Sequence, residues 1–283
     1  MNNKRAMFAV VPIALEYPDE MAADIRDVLG GEYEAGYDGE QLVVVDIGAN
    51  VGAFTIWAGL RWPNSIIHAY EPNPGTFRML QNNVGHLPNV TCHPQAVYPG
   101  NTTHRMLYSR FPGDGESGLT DYIGRTFESL PEERVVPVPV VSPAALPACD
   151  VLKIDVEGGE ATILEAMDLS TVSLILLEYQ DMRNRRAIEQ RLRDGFACEF
   201  VDRYPWSRLL PRAGYRADLA GDSFGHLFFS NTRANRLRRT ADSVSVDGVN
   251  KPLQPGSLSL RQVLAVLPGA VRRTLASRLR KPC

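Results

Sequence analysis

Four carboxylates in this sequence stand where a short apolar run stops: Asp46 after LVVV, Glu71 after SIIHAY, Asp155 after VLKI and Glu178 after LILL. Runs of that composition read as buried parallel strands, and in open α/β sheets ligands bind beyond the carboxyl ends of such strands. Asp155, at a strand tip, is the first choice for a general base or for a group that orients an acceptor. Glu157, two residues on, Glu178 and His226, read as opening the last strand, are further catalytic candidates. Asp155, Glu157 and Glu178 together also offer hard oxygen ligands of the kind that suit Mg²⁺. Two of these residues have local alternatives: Glu157 can cap a helix starting near Gly158, and His226 can be a satisfied core imidazole.

The first run opens onto DIGANVG, Asp46 to Gly52, a turn between a strand and a segment of helical character from Ala53 to Leu60. Gly48 and Gly52 lack a Cβ, so the backbone can take unusual dihedrals and a ligand can approach it. A dinucleotide fingerprint begun at Gly48 would need glycines at the positions of Asn50 and Ala53, and the missing middle glycine removes the close approach to a pyrophosphate. A ligand with an adenosine but no pyrophosphate does not need it. S-adenosylmethionine (SAM) is such a ligand, and its cationic amine and sulfonium favour a carboxylate such as Asp46. Glu71, some twenty residues beyond the loop at the tip of the second strand, suits a grip on ribose hydroxyls.

Strand and helix alternate from Leu42 onward, the pattern of a parallel sheet covered on both faces. The strands are read at Leu42–Asp46, Ser65–Tyr70, Val90–His93, Val151–Ile154, Leu174–Glu178, Cys198–Asp202 and His226–Ser230. Helices are read near Ala53–Trp62, Thr76–Val84, Ala161–Met167 and Arg185–Asp194. Residues 1–40 form a preface with a strand near Phe8–Ala14 and a helix from about Pro18 to Leu29. A long excursion, Tyr98–Asp150, reads as an insert, and the Val/Pro alternation at Val135–Val141 suggests an edge strand. Tyr204, Trp206 and Tyr215, in an irregular stretch before the last strand, are expected to wall an acceptor pocket or simply to pack on the core.

Together, DIGANVG, YEPNP (Tyr70–Pro74) and LKIDVEGGE (Leu152–Glu160) resemble the FkbM-type family of SAM-dependent methyltransferases, over roughly Gln41 to Gln180. The resemblance implies a Rossmann-like class I methyltransferase fold, α/β, with a mostly parallel seven-stranded sheet and helices on both faces. It carries Asp46, Gly48, Asn50 and Gly52 to the methionine end of SAM and Glu71 to its ribose. Asn73 of the second motif, and Asp155, are counted with the cofactor site. Asp155, Glu157 and Glu160 form the family's signature after the fourth strand. One departure is visible: Val138–Pro143 reads VPVVSP where members commonly carry a Leu-Asp pair. The implied activity is methylation of a hydroxyl on a small molecule such as a sugar or polyketide or another secondary metabolite. Transfer to a nitrogen or carboxylate, and a non-catalytic SAM-binding regulator, are the alternatives.

With 283 residues and 44% hydrophobic content, the chain can bury one good core. The formal charge of −3 hides an asymmetry: after Ser230 the chain carries eleven Lys and Arg against two Asp, which leaves −12 on the first 230 residues. An acidic body disfavours nucleic-acid substrates, whose phosphates want a basic face. Four scattered cysteines without metal-ligand spacing suggest reduced thiols and a cytoplasmic setting. The apolar stretch Ala6–Leu15 imitates a short secretory signal, but Pro12 interrupts it and acids follow it where small residues would mark cleavage. Residues 231–283 read as a linker followed by a basic amphipathic tail. The tail is expected to dock on the body or within a homodimer, with a membrane surface as the alternative.

Overall fold

The computed structural model describes residues 4–8, 11–124, 126–205, 215–233 and 236–239. The preface forms β1 (Lys4–Phe8), β2 (Val11–Tyr17), α1 (Ala22–Leu29) and β3 (Tyr37–Asp38). The body follows as β4 (Val43–Ile47), α2 (Ala53–Arg61), β5 (Ile66–Tyr70), α3 (Pro74–Val84) and β6 (Val90–His93). The excursion supplies β7 (Ala96–Val97), β8 (His104–Tyr108), β9 (Gly118–Leu119), α4 (Thr120–Ile123) and β10 (Val135–Val141). The body resumes with β11 (Val151–Ile154), α5 (Glu160–Glu165), β12 (Leu174–Tyr179), α6 (Met182–Leu192) and β13 (Phe196–Val201). It ends with β14 (Tyr204–Pro205), β15 (Ser223–Asn231) and β16 (Arg238–Arg239).

The main sheet has the order β13-β15-β12-β11-β4-β5-β6, with β14 added on β15. Neighbours from β12 to β6 are parallel, and β15 runs antiparallel between β12 and β13. The mostly parallel sheet of seven main strands expected from the sequence is present. From β4 the chain builds outward through β5 and β6, then returns to build the other half through β11 and β12. That reversal puts a crevice between the carboxyl ends of β4 and β11, the place where such sheets bind ligands.

Period-two burial explains the central strands. Val44, Val151, Leu174 and Leu176 pack on one face against Phe54, Trp57 and Ala58 of α2, while Val45, Leu152, Ile154 and Ile175 pack on the other against Ile163, Leu164, Ile188 and Leu192 of α5 and α6. With both faces covered, these strands must be apolar nearly throughout. Two helices start earlier than their apolar patterns indicate, because caps satisfy their first N–H groups. Asp181 accepts the N–H of Asn184 at 2.6 Å ahead of α6, and Asn73 accepts those of Gly75 and Thr76 ahead of α3.

The excursion is a small sheet of its own, β7-β10-β8-β9, around Leu107, Leu119, Tyr122 and Val138. Against the expectation of an edge strand, β10 lies between β7 and β8. Val140 donates its N–H to Thr103 on the β8 side, so by alternation the proline nitrogens of Pro137 and Pro139 face the other way. There β7 pairs only with Val140 and Val141, and no ladder bond is lost. At the other end, the chain beyond β15 stays attached through β16, which pairs with β3, and through Arg236, which bonds Asp150 at 2.9 Å. No helix among the described residues is long and apolar enough to cross a membrane. Cys92, Cys149 and Cys198 are free thiols. The tail expected to be an amphipathic docking element, and Trp206, lie outside the described residues.

Candidate active site

A cavity opens at the switch point. Ile47, Gly48, Tyr70, Glu71 and Asp155, from the ends of β4, β5 and β11, form one wall. Gln95, Val97, Leu107, Gly118, Leu119 and Tyr122 form the other, so the small sheet closes what the large sheet opens. Gly48 sits at φ 78°, and a Cβ there would lie 1.8 Å from the carbonyl oxygen of Asp155. Only glycine lets the two loops meet at this distance.

Glu71 is buried and accepts the backbone N–H of Asn50 at 3.0 Å and that of Asn73 at 2.8 Å. It therefore organises the glycine loop as well as facing the cavity. Burial pushes its pKa up to about 7, against the lowering effect of those two N–H groups. Asp46 does not line the cavity. Its Oδ2 accepts the Thr55 hydroxyl at 2.7 Å, and its Oδ1 lies 3.4 Å from the ammonium of Lys153. Lys153, fully buried on β11, also donates to the carbonyl of Gly48 at 2.7 Å and lies 3.6 Å from Asp155. Burial opposes its charge, but Asp46 and Asp155 outweigh burial and raise its pKa.

The cofactor residues read from the sequence thus divide into two layers. Gly48, Glu71 and Asp155 line the cavity, whereas Asp46, Asn50, Gly52 and Asn73 do not. Gly52, at φ 95°, starts α2, where an added Cβ would lie 2.9 Å from Leu80. Asn73 is the helix cap of α3.

A second cluster lies beside Asp155. His226 does not open the last strand: it is the fourth residue of β15, buried, and paired in register with Glu178. Its Nδ1 lies 3.1 Å from Asp202, and its Nε2 lies 3.5 Å from Glu32 and 3.6 Å from Glu178. Burial alone would lower its pKa, but the Asp202 hydrogen bond and the Glu178 and Glu32 carboxylates hold it at about 9. At neutral pH it is a charged imidazolium, unsuited to act as a base. Burial raises Glu32 to about 7 and Glu178 well above the carboxylate range, Asp155 adding to the latter. Glu157 is also raised well above it by burial and by the charges of Glu178 and Asp155.

Several expectations need correction here. Glu157 does not cap the helix after β11; α5 starts at Glu160, whose own Oε1 accepts the N–H groups of Val156 and Gly158 at 3.1 and 3.0 Å. Among the described residues no three His, Cys, Asp or Glu side chains are arranged to hold a metal ion, so Asp155, Glu157 and Glu178 do not assemble the Mg²⁺ set considered from the sequence. Tyr204 packs on Phe224 and Tyr215 stacks on Phe127 at 5.2 Å; neither lines the cavity. Sequence reasoning missed Glu32, Asp202 and Tyr122. Neither Glu32 nor Asp202 carries a local signal, whereas Lys153 does: a charge inside an apolar strand demands a buried partner.

The residues present fit SAM. The Tyr122 hydroxyl on the cavity wall and the Asn50 side-chain oxygen behind it are buried without hydrogen-bond partners. Glu71 keeps lone pairs for ribose hydroxyls, and Tyr70, Val97 and Leu107 offer apolar surface for an adenine.

A parallel sheet in this order, with its cavity at the switch point and an acid at the end of β5, defines a class I SAM-dependent methyltransferase. Residues 46–217 match the family described as "Methyltransferase FkbM domain", and the chain belongs to that family. It is 27% identical over 231 residues to AMB antimetabolite synthetase AmbE of Pseudomonas aeruginosa, a match that spans 63% of this chain and 11% of that protein. It is 27% identical to Methyltransferase 1 of Beauveria bassiana, over 58% of this chain and 75% of the relative. To 31-O-demethyl-FK506 methyltransferase FkbM of Streptomyces tacrolimicus it is 26% identical, over 50% and 66%. Similar solved structures include precorrin-6y C5,15-methyltransferase from Geobacter metallireducens, at 14% identity over 76% of this chain and 93% of that one, TM-score 0.41. Another is M. jannaschii TYW2 in complex with AdoMet, at 12% identity over 77% and 82%, TM-score 0.38.

Proposed function

We propose that this SAM-dependent methyltransferase methylates a hydroxyl of a small molecule, with Asp155 as the group that receives the hydroxyl proton. The observation that carries this reading is the position of Asp155: it lines the cavity just past the end of β11, 3.6 Å from the Lys153 ammonium. SAM, when bound, supplies an electrophilic methyl group on a sulfonium. Glu71 would hold its ribose, and the Gly48 loop its methionine end. On the acceptor side, Asp155 accepts the proton as the acceptor oxygen takes the methyl group, so the proton ends on the carboxylate and the sulfonium charge is lost. Aligning the two reactants and excluding water supply most of the remaining rate.

Support for a small acceptor comes from the −12 charge of the first 230 residues, which disfavours nucleic acid, and from relatives named for FK506 methylation and antimetabolite synthesis. A role in secondary metabolism inside the cytoplasm is consistent with that reading. The test is to incubate the protein with methyl-labelled SAM and cell extract fractionated by size and polarity. Label in a small product as a methyl ether is the expected result. Label confined to macromolecules, or carried as an N-methyl group or methyl ester, would overturn it.

A further inference from the structure

The cavity is enclosed on both sides. Ile47, Tyr70, Glu71, Val97, Leu107 and Leu119 all line it, and each is at most 6% exposed. A nucleoside cannot reach such residues until one wall moves. The wall from the large sheet has no freedom to do so, because β4 and β5 are each laddered to a neighbour on either side. The other wall includes β9, two residues long, which pairs with β8 at the edge of the small sheet. The turn that leads into it, residues 110–117, is stiffened from within by Arg110, whose guanidinium lies 2.6 Å from Asp114 and 2.8 Å from Glu116. Short edge elements held by a few polar bonds are the parts of a fold that open first.

That turn rests on two supports. On α3, the Thr76 hydroxyl accepts the N–H of Gly113 at 2.7 Å, and the chains pass so close that a Cβ added at Gly75 would lie 2.8 Å from the Cβ of Pro112. On the preface, the Met21 sulfur accepts the N–H of Gly115 at 3.3 Å, and a Cβ added at Gly113 would lie 2.7 Å from the Pro18 ring. The preface is itself anchored there. Asn83 of α3 exchanges hydrogen bonds with the backbone of Glu16 at 2.7 and 2.9 Å and donates to the Val51 carbonyl of the glycine loop at 2.8 Å. We propose that residues 110–119 are a cover over the cofactor cavity, clasped shut by Thr76 and Met21, and that SAM enters and its demethylated product leaves only when this clasp opens. Two hydrogen bonds are individually weak, so the clasp can open and close within a catalytic cycle. Cofactor exchange by this route is independent of which acceptor is methylated.

Thr76→Val and Met21→Leu each remove one acceptor and keep the volume packed around it. Surface plasmon resonance with the full chain immobilised and S-adenosylhomocysteine as the probe reads both rate constants. Each variant should raise the association and dissociation rates by roughly threefold or more, and the two together by roughly tenfold, the weight of one and two lost hydrogen bonds. Kd should change little, because the clasp is the same with the cavity empty or filled, and that Kd also reports that each variant is folded. Rates like those of the wild type, or a faster dissociation alone, would overturn the proposal, since the two residues would then only shape the filled site. A second arm holds the cover shut. Gly75→Cys with Pro112→Cys places two thiols where a shift of about 1 Å gives the Cβ spacing of about 3.5–4.5 Å that a disulfide needs. With the disulfide confirmed by mass spectrometry, exchange of labelled SAM should stall and recover on reduction. Unslowed exchange across the closed disulfide would show that the cofactor uses another route.

Discussion

The ammonium of Lys153 donates to the carbonyl oxygen of Gly48 at 2.7 Å, which ties the end of β11 to the glycine loop after β4 across the switch point. The same ammonium stands 3.4 Å from Asp46 and 3.6 Å from Asp155. One buried cation thus holds the glycine loop, Asp46 and Asp155 in a fixed relation.

Replacing that cation should be severe. Lys153→Met leaves Asp46 buried without its counter-charge, and breaking a buried pair from one side costs about 3–5 kcal/mol. Urea denaturation of the variant should show a loss of that size together with weakened SAM binding. A midpoint like that of the wild type would mean that Asp46 is already neutral in the fold.

Gly48→Ala is expected to be worse than its position in a loop suggests. Both Gly48 and Gly100 have positive φ, 78° and 102°, but a Cβ at Gly48 meets the Asp155 carbonyl at 1.8 Å while one at Gly100 meets nothing within 4 Å. Backbone strain of about 1–3 kcal/mol is common to both substitutions, so the excess loss at Gly48 isolates the contact between the loops. Thermal melts and SAM titration of the two variants side by side should show binding lost only at Gly48. Equal behaviour would show that the loops can part freely.

Glu71 links cofactor binding to pH. Its folded pKa of about 7 stands above the ordinary value of 4.5, so the folded chain binds the extra proton between those values. The stability it contributes is complete below about 4.5 and is lost as pH rises through 7. Ribose hydroxyls donate to the ionised form, so SAM should bind more tightly at pH 8 than at pH 6 and release protons on binding near pH 7. Calorimetry in buffers of different ionisation enthalpy reads that release. Glu71→Gln should abolish it and weaken binding by roughly tenfold to a hundredfold. Proton uptake in place of release would mean that Glu71 acts in its neutral form.

Asp155→Asn keeps the shape at the tip of β11 and removes the proposed base. Turnover should fall by about 10²–10⁴ while SAM affinity changes little, because a general base acts on the acceptor. Single-turnover rates with the labelled cofactor measure this. Full activity at neutral pH would assign the proton to another group or to solvent.

The strands were readable because two-sided burial leaves a chain little choice. Val43–Ile47, Val151–Ile154 and Leu174–Tyr179 are apolar almost throughout, and the acid or glycine that ends each run marks the edge of the core. Glu71 and Asp155 could be picked out for the same reason, each being the first polar group past an apolar run. The site's second layer was less visible. That Lys153 would meet Asp46 follows from the parallel register that sets the two opposite each other, a pairing between residues far apart in the chain.

His226 and its partners show where local reading stops. Glu32 comes from the preface, Glu178 from β12, Asp202 from the chain just after β13, and His226 from β15, and nothing near any of them announces the others. They meet because β15 enters antiparallel between β12 and β13, which puts the early part of the last strand at the carboxyl end of the sheet. A sequence can state that a residue is polar and sits near a strand. Whether its charge is answered by another side chain or left for a ligand depends on strand order, and strand order is fixed by the packing of both sheet faces at once.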